Sequence, residues 1–422
     1  MTSQWKGYVL TQLAEYHNGY GFNKDDWGKE GFPIVRIEQL NNPDASCDYY
    51  NGPVLEVNKI DDGDLIFSWS ATLKVVIWCG GKAVLNQHLF RVDPRSFVDK
   101  KFLYFLLDFH MEKLGGASHG STMKHIKRSE LDRYAVNVPA LETQKKIATI
   151  LSTIDSAIEK TEALIEKYQN IKTGLMQDLF TRGLLPNGQL RPPREQAPEL
   201  YQKTDIGWIP RNWSVDVLDN LTSKIVDGVH HTPSYVEHGV PFVTVKNLTY
   251  NRDIDFTRLN YISAADHAQF SKRVLPQVGD VLVTKDGTLG VSRIVTANHP
   301  EFSIFVSVAL LRPVFSKITS SWLNYFFDAN LYLRQLAYLS AGTGLKHIHL
   351  EHFRKFMVPL PSIDEQQLID KRIALIEDYL SNERAKLEKL RTQKLGLMKD
   401  LLTGDAPVSV DDSSVEPQSS HG

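Results

Sequence analysis

Apolar residues recur at spacings of three and four, or sums of these, along two long stretches of the chain. The first carries Ile147, Leu151, Ile154, Ile158, Ile165, Tyr168, Leu175 and Leu179. The second carries Ile369, Ile373, Ile376, Leu380, Leu387, Leu390, Leu397 and Leu401. Such spacings place the residues on one seam of a helix flanked by Glu and Lys. The pattern predicts helices over 141–183 and 361–404, each about 60 Å long at the α-helical rise. Neither stretch contains an internal proline, and Gly183 and Gly404 follow as stop signals. Both stripes are interrupted once, at Thr161 and at Glu383. Helices packed on a single domain average about 11–12 residues, so stripes of this length call for long partners. The simplest partner for each is the other, laid antiparallel by a pseudo-two-fold relation.

Short apolar runs at Val54–Val57, Leu65–Trp69, Val281–Thr284 and Phe305–Leu311 read as strands. Lys101–His110 and Ser321–Leu339 read as helices. The expected fold is mixed α/β, or α+β, with globular regions over 1–140 and 206–360. Arg182–Asp205 is polar and holds four prolines, which marks a linker over 184–205. The acidic, Ser-rich stretch 405–422 reads as a disordered tail.

Laid over itself, the chain repeats. An offset of 208 pairs Trp5 with Trp213, Leu10 with Leu218, and Gly31-Phe-Pro-Ile-Val with Gly239-Val-Pro-Phe-Val. An offset of 216 matches Gly63-Asp-Leu-Ile with Gly279-Asp-Val-Leu. From Gly120 onward the offset holds at 222, aligning Lys124-His-Ile with Lys346-His-Ile and Gly174-Leu-Met-Gln-Asp-Leu with Gly396-Leu-Met-Lys-Asp-Leu. The chain therefore reads as two copies of one unit, each a globular region followed by a long helix.

Composition narrows the class. The 422 residues are 42% hydrophobic and 23% charged, as in ordinary globular proteins. No apolar run is long enough for a membrane span, and the start lacks a secretory signal. Two cysteines without a CxxC pair exclude a disulfide framework and fit a cytoplasmic setting. The net charge of −2 sets a tension, because an autonomous DNA binder usually carries a basic excess.

Catalytic constellations are missing. Gly115-Gly-Ala-Ser-His-Gly-Ser-Thr resembles a phosphate loop but lacks its lysine. Asp280 and Lys285 have the wrong spacing for a metal-dependent nuclease. His347, His349 and His352 are spaced to scatter around a helix, so no metal site is expected there. His230 and His231 have no cysteine or carboxylate company.

At this point the sequence resembles a known family, the specificity subunits of type I restriction–modification systems. The resemblance rests on Ile206-Gly-Trp-Ile-Pro-x-x-Trp213, Val226-Asp-Gly-Val-His-His-Thr-Pro233 and Gly279-Asp-Val-Leu-Val-Thr-Lys-Asp-Gly-Thr-Leu-Gly290. Leu360-Pro-x-x-x-Glu-Gln366 and the two Gly-Leu-Met-x-Asp-Leu helix endings complete it, and it covers residues 1 to about 404. In the first half Trp69-Ser70-Ala71 stands opposite Lys285-Asp286-Gly287, and Ile206–Pro210 has no counterpart before Trp5.

The resemblance implies a non-catalytic subunit with two target recognition domains, each reading one half of a split, asymmetric double-stranded DNA site. It implies two methyltransferase subunits and restriction/translocase subunits as partners, and no membrane. It implies no cofactor of the chain's own, since SAM, ATP and Mg²⁺ belong to those partners. If the methyltransferases supply much of the cationic clamp, a near-neutral chain is accommodated. Polar groups on loops would read bases. The candidates are Asn23, Lys24, Ser68, Ser70, Ser118, His119, Ser121 and Lys124 in the first half. In the second they are His230, His231, Thr232, Lys285, Thr288, Thr343, Lys346 and His347. The helix seam, represented by Ile147, Leu151, Ile154, Ile158, Ile165, Ile369, Ile373, Ile376, Leu380 and Leu387, is the candidate coiled-coil and partner interface. Two other readings stay open, the recognition part of a fused restriction–methylation enzyme and a coiled-coil adaptor that never touches DNA.

Overall fold

The computed structural model describes residues 5–42, 45–116, 125–250, 252–339 and 346–408. They fall into two units, Met1–Ala163 with Arg384–Gly422, and Leu164–Glu383. The division runs through both long helices, Leu141–Thr181 and Ile363–Thr403, each 41 residues. Each helix thus serves both units, instead of belonging only to the globular region that precedes it.

Inside each unit the same three β-structures recur. The first unit has a four-stranded antiparallel sheet in the order Ala14–Asn18, Leu89–Pro94, Leu65–Ser68, Lys74–Ile77. The second repeats it as Thr222–Asp227, Val308–Pro313, Val281–Thr284, Ser292–Ile294. A smaller sheet contains the parallel pair Ile34 with Val84 in one unit and Phe242 with Ser303 in the other. A third pairing joins Lys6–Val9 to Ala135–Val138, and Ser214–Val217 to Met357–Leu360. The strands are short, and the central ones, Leu65–Ser68 and Val281–Thr284, are largely apolar and buried on both faces.

Each core is closed by two helix segments. In the first unit Ile147 and Leu151 pack with Met398, Leu401 and Leu402 around Phe67, Phe102 and Phe105. In the second Ile369 and Ile373 pack with Met176, Leu179 and Phe180 around Trp322 and Phe326. Phe180 lies flat on Trp322, with ring centroids 4.1 Å apart, and Trp213 meets Trp322 edge-on. The start of one long helix and the end of the other are therefore buried together in each unit.

The segments run antiparallel. In the first unit Asp155 pairs with Lys394 and Glu162 with Arg391, both at 2.7 Å. In the second Tyr168 stacks on Tyr379 and Lys172 pairs with Glu377 at 2.6 Å. Partner numbers fall along one helix as they rise along the other. Thr161, where the stripe seemed interrupted, is only 2% exposed, and its hydroxyl donates to the Ala157 carbonyl. The seam is continued there by a small polar residue that satisfies itself within its own helix.

Trp5 and Trp213 each cover the left-handed glycine after a helix end. A Cβ on Gly404 (φ +82°) would lie 2.8 Å from the Trp5 ring, and one on Gly183 (φ +62°) 2.3 Å from the Trp213 ring. The left-handed backbone and the close ring both demand glycine.

Three expectations need correction. Val54–Val57 is not a strand, since Glu56–Asn58 forms a 3₁₀ turn. Ser321–Leu339 is two helices, Ser320–Asp328 and Asn330–Leu339, broken by extended backbone at Ala329. The prolines of Arg182–Asp205 do not make a loose linker. Tyr201–Thr204 pairs with Gly207–Pro210, and Arg191 is buried against Glu365 at 2.6 Å. Glu365 also accepts from the Leu184 amide and Trp213 Nε1, so the segment is fastened to its unit. The tail expected over 405–422 lies outside the described residues from 409 onward. No described helix is long and apolar enough to cross a membrane.

Candidate nucleic-acid interface

In both units some of the candidate readers lie where the central strand leaves the larger sheet. In the first unit Leu65–Ser68 ends at Trp69-Ser70, and Ser70 bridges His125. In the second Val281–Thr284 ends at Lys285-Asp286, and Asp286 bridges His347. The same backbone bond fixes both crossings, from the Ile126 amide to the Trp69 carbonyl at 2.9 Å and from Ile348 to Lys285 at 2.8 Å. Asn18 and Asp227 end the edge strand one strand further on, opposite Phe90 and Ala309 of the intervening strand. A glycine follows each, because a Cβ on Gly19 or Gly228 would sit about 2 Å from the carbonyl of Asn86 or Ile304.

The shared scaffold carries different chemistry. In the second unit the buried Asp227 receives Lys285 Nζ at 3.3 Å, Arg273 at 2.6 Å and His230 Nε2 at 2.9 Å. Burial pushes its carboxyl up, but the His230 hydrogen bond and the Lys285 charge hold it below the usual carboxylate range. Lys285 Nζ also lies 3.4 Å from His347 Nε2, and His347 Nδ1 is bonded to Asp286. In the first unit the place of Lys285 is taken by Trp69, whose ring sits among His88, Phe90 and His125. Trp69 Nε1 is buried without a partner among the described residues, and Ser70 Oγ reaches His88 Nδ1 at 3.5 Å.

The candidates separate accordingly. His230, Lys285 and His347 come together, and Ser70 joins His88 and His125. Ser68 is fully buried, with its hydroxyl given to the Thr72 carbonyl, and Lys285 is only 3% exposed. Neither is free to meet a base. His231 leans edge-on against Phe270, while Thr232, Thr288 and Lys346 are exposed. Asn23 and Lys24 stand apart at an exposed 3₁₀ turn, where Asp26 accepts from the Asn23 amide. Ser118, His119, Ser121, Lys124 and Thr343 lie outside the described residues. Along the seam Ile147, Leu151, Ile369, Ile373, Leu380 and Leu387 are buried, and Ile154, Ile158, Ile165 and Ile376 are half-buried.

Two readings of the histidines are overturned. His230 does have a carboxylate, Asp227, three residues earlier. His347, His349 and His352 are not scattered, because the first two precede the helix Leu350–Lys355 and fold back. Their rings stand 4.6 and 5.5 Å apart in succession. Burial and the nearby His349, Lys355 and His347 hold the His352 ring below its ordinary value. Among the described residues no cluster of His, Cys, Asp or Glu is placed to hold a metal ion. Sequence reasoning missed Asp227, Arg273 and His88. Asp227 carries a readable signal, its i, i+3 spacing from His230, whereas Arg273 is brought in by tertiary structure alone.

Comparison with known proteins agrees with this architecture. The chain matches the family described as type I restriction modification DNA specificity domain over residues 2–167 and again over 234–392. It is 25% identical over 385 residues to the EcoBI specificity subunit of Escherichia coli, covering 89% of this chain and 80% of that one. It is 27% identical to the putative MjaX specificity subunit of Methanocaldococcus jannaschii, covering 95% and 93%. Its fold resembles the crystal structure of a type I S subunit from M. genitalium, with a TM-score of 0.57, 16% identity and 97% of both chains covered. The chain belongs to the type I restriction–modification DNA specificity family and carries that family's domain twice.

Proposed function

We propose that this chain is the DNA-reading subunit of a type I restriction–modification complex. It binds a bipartite, asymmetric duplex site with one recognition domain per half-site. The carrying observation is that the DNA specificity domain occurs twice, on one scaffold whose polar hub differs between the copies. Identical readers would favour a symmetric site, and different hub chemistry fits an asymmetric one. In this reading the chain is not catalytic by itself. It directs two methyltransferase subunits and the restriction/translocase subunits, which bring SAM, ATP and Mg²⁺. In the second unit the exposed apolar groups Ile171 and Leu375 on the long helices would be available to partner helices.

The near-neutral charge supplies the test. In a gel-shift assay at physiological salt, the chain alone binds its target weakly, and added methyltransferase subunits tighten binding by at least about tenfold. Tight, specific binding by the isolated chain would contradict the shared-clamp account. No DNA binding even with the methyltransferase would favour the adaptor reading.

A further inference from the structure

We propose that in the second recognition domain His230 reads a base through Nδ1, and that Asp227 and Lys285 are positioning residues that fix which hydrogen-bonding face it presents. This rests on the reading of the chain as a DNA specificity subunit. The His230 side chain is 58% exposed, while the side chains of Asp227 and Lys285 beneath it are only 5% and 4% exposed. His230 Nε2 lies 2.9 Å from an Asp227 oxygen, which only accepts, and 3.2 Å from Arg273 Nη2, which already donates to that same oxygen at 2.6 Å. The carboxylate is the nearer partner, so Nε2 carries the proton. In the neutral ring Nδ1 is then the acceptor, and no described residue partners it. The Asp227 carboxylate is itself clamped from the far side by Lys285 and from the flank by Arg273. The ring is therefore held in one tautomer on a rigid base.

An outward acceptor selects a donor. In the major groove the base donors are the amino groups of adenine and cytosine. The neighbouring half-exposed Arg273 offers only donors, so His230 Nδ1 adds an acceptor beside it. In the first domain the equivalent hub is Asn18, Trp69 and His125, with no charged pair at its base among the described residues. The same scaffold position would then serve a different base preference there.

The test is sequencing of methylated sites in cells carrying the complete system with wild-type or substituted chain. H230A should lower the preference at one base pair of one half-site by about tenfold, leaving the other half-site sharp. H230N, whose side-chain oxygen accepts, should restore part of that preference. D227N should relax the preference at the same base pair, because a neutral amide cannot accept from His230, Arg273 and Lys285 together and no longer holds the ring in one tautomer. K285M should weaken the same position less than H230A. Unfolding midpoints of the purified chains report whether each variant is folded. Unchanged half-sites in H230A would overturn the proposal. So would relaxation in both half-sites, or loss of all methylation by a folded H230A chain. A wild-type system without any bipartite methylated site would instead defeat the underlying functional reading.

Discussion

Gln144 and Gln366 make the same three hydrogen bonds at the same point of their respective units. Gln144 accepts from the Asp99 amide and donates to the Phe97 and Pro139 carbonyls. Gln366 accepts from the Thr319 amide and donates to the Lys317 and Pro361 carbonyls. Both are 1% exposed, one turn into a long helix. Each ties the helix start to the loop that enters the preceding helical layer, so the direction of the helix is fixed against its domain.

Replacing either glutamine by leucine would keep the volume and leave one amide and two carbonyls buried without partners. We expect Q144L and Q366L each to cost about 2–4 kcal/mol. Denaturant unfolding of the purified chain measures this, and a loss below about 1 kcal/mol would show that water or a shifted loop replaces the glutamine.

A pH dependence follows from His110. Burial, with Lys113 nearby, lowers its ring to about 4, and Nδ1 lies 3.0 Å from the Tyr134 hydroxyl. The folded unit keeps the ring neutral at pH values where the unfolded chain takes up a proton. Its contribution is therefore complete above the ordinary histidine value of about 6.5 and is lost as pH falls towards 4. Unfolding midpoints should fall over that window, and H110Q should flatten the fall. An unaltered slope in H110Q would assign the effect to other groups.

Much of this was legible in the sequence, for definable reasons. The seam from Ile147 to Leu179 and its copy from Ile369 to Leu401 showed because helical periodicity is local. The repeat showed because paired motifs such as Lys346-His-Ile hold one register. The sharing of each helix between units was not legible, since it depends on which segment Met176 or Met398 packs against. The candidate site divided along the same line. His230 and His347 could be named from residue type, but the burial of Ser68 and Lys285 is a product of the sheet. Arg273 reaches Asp227 across 46 residues and leaves no spacing signal.

The unbroken helix Leu141–Thr181 offers a ruler to lengthen. Since Thr161 is buried, the place for an insertion is between Ala163 and Leu164, where the two units divide. Four added residues make about one turn, keep the seam facing its partner and add about 6 Å. The gap between methylated half-sites should grow by one to two base pairs at about 3.4 Å each, with both half-sites unchanged. A two-residue insertion turns the seam by about 200° and should abolish methylation. Retained activity with an unaltered gap in the four-residue variant would contradict the ruler.

The most direct test of the account is to exchange one recognition domain and read the methylome. Residues 1–140 would be replaced by the matching region of a relative in a strain carrying the methyltransferase subunits. Methylated sites would then be mapped genome-wide beside the wild type and a strain lacking the chain. The account predicts a bipartite motif in the wild type, none without the chain, and a hybrid motif in which one half-site changes while the other stays intact. A swap that altered both half-sites, or methylation that persisted without the chain, would contradict it.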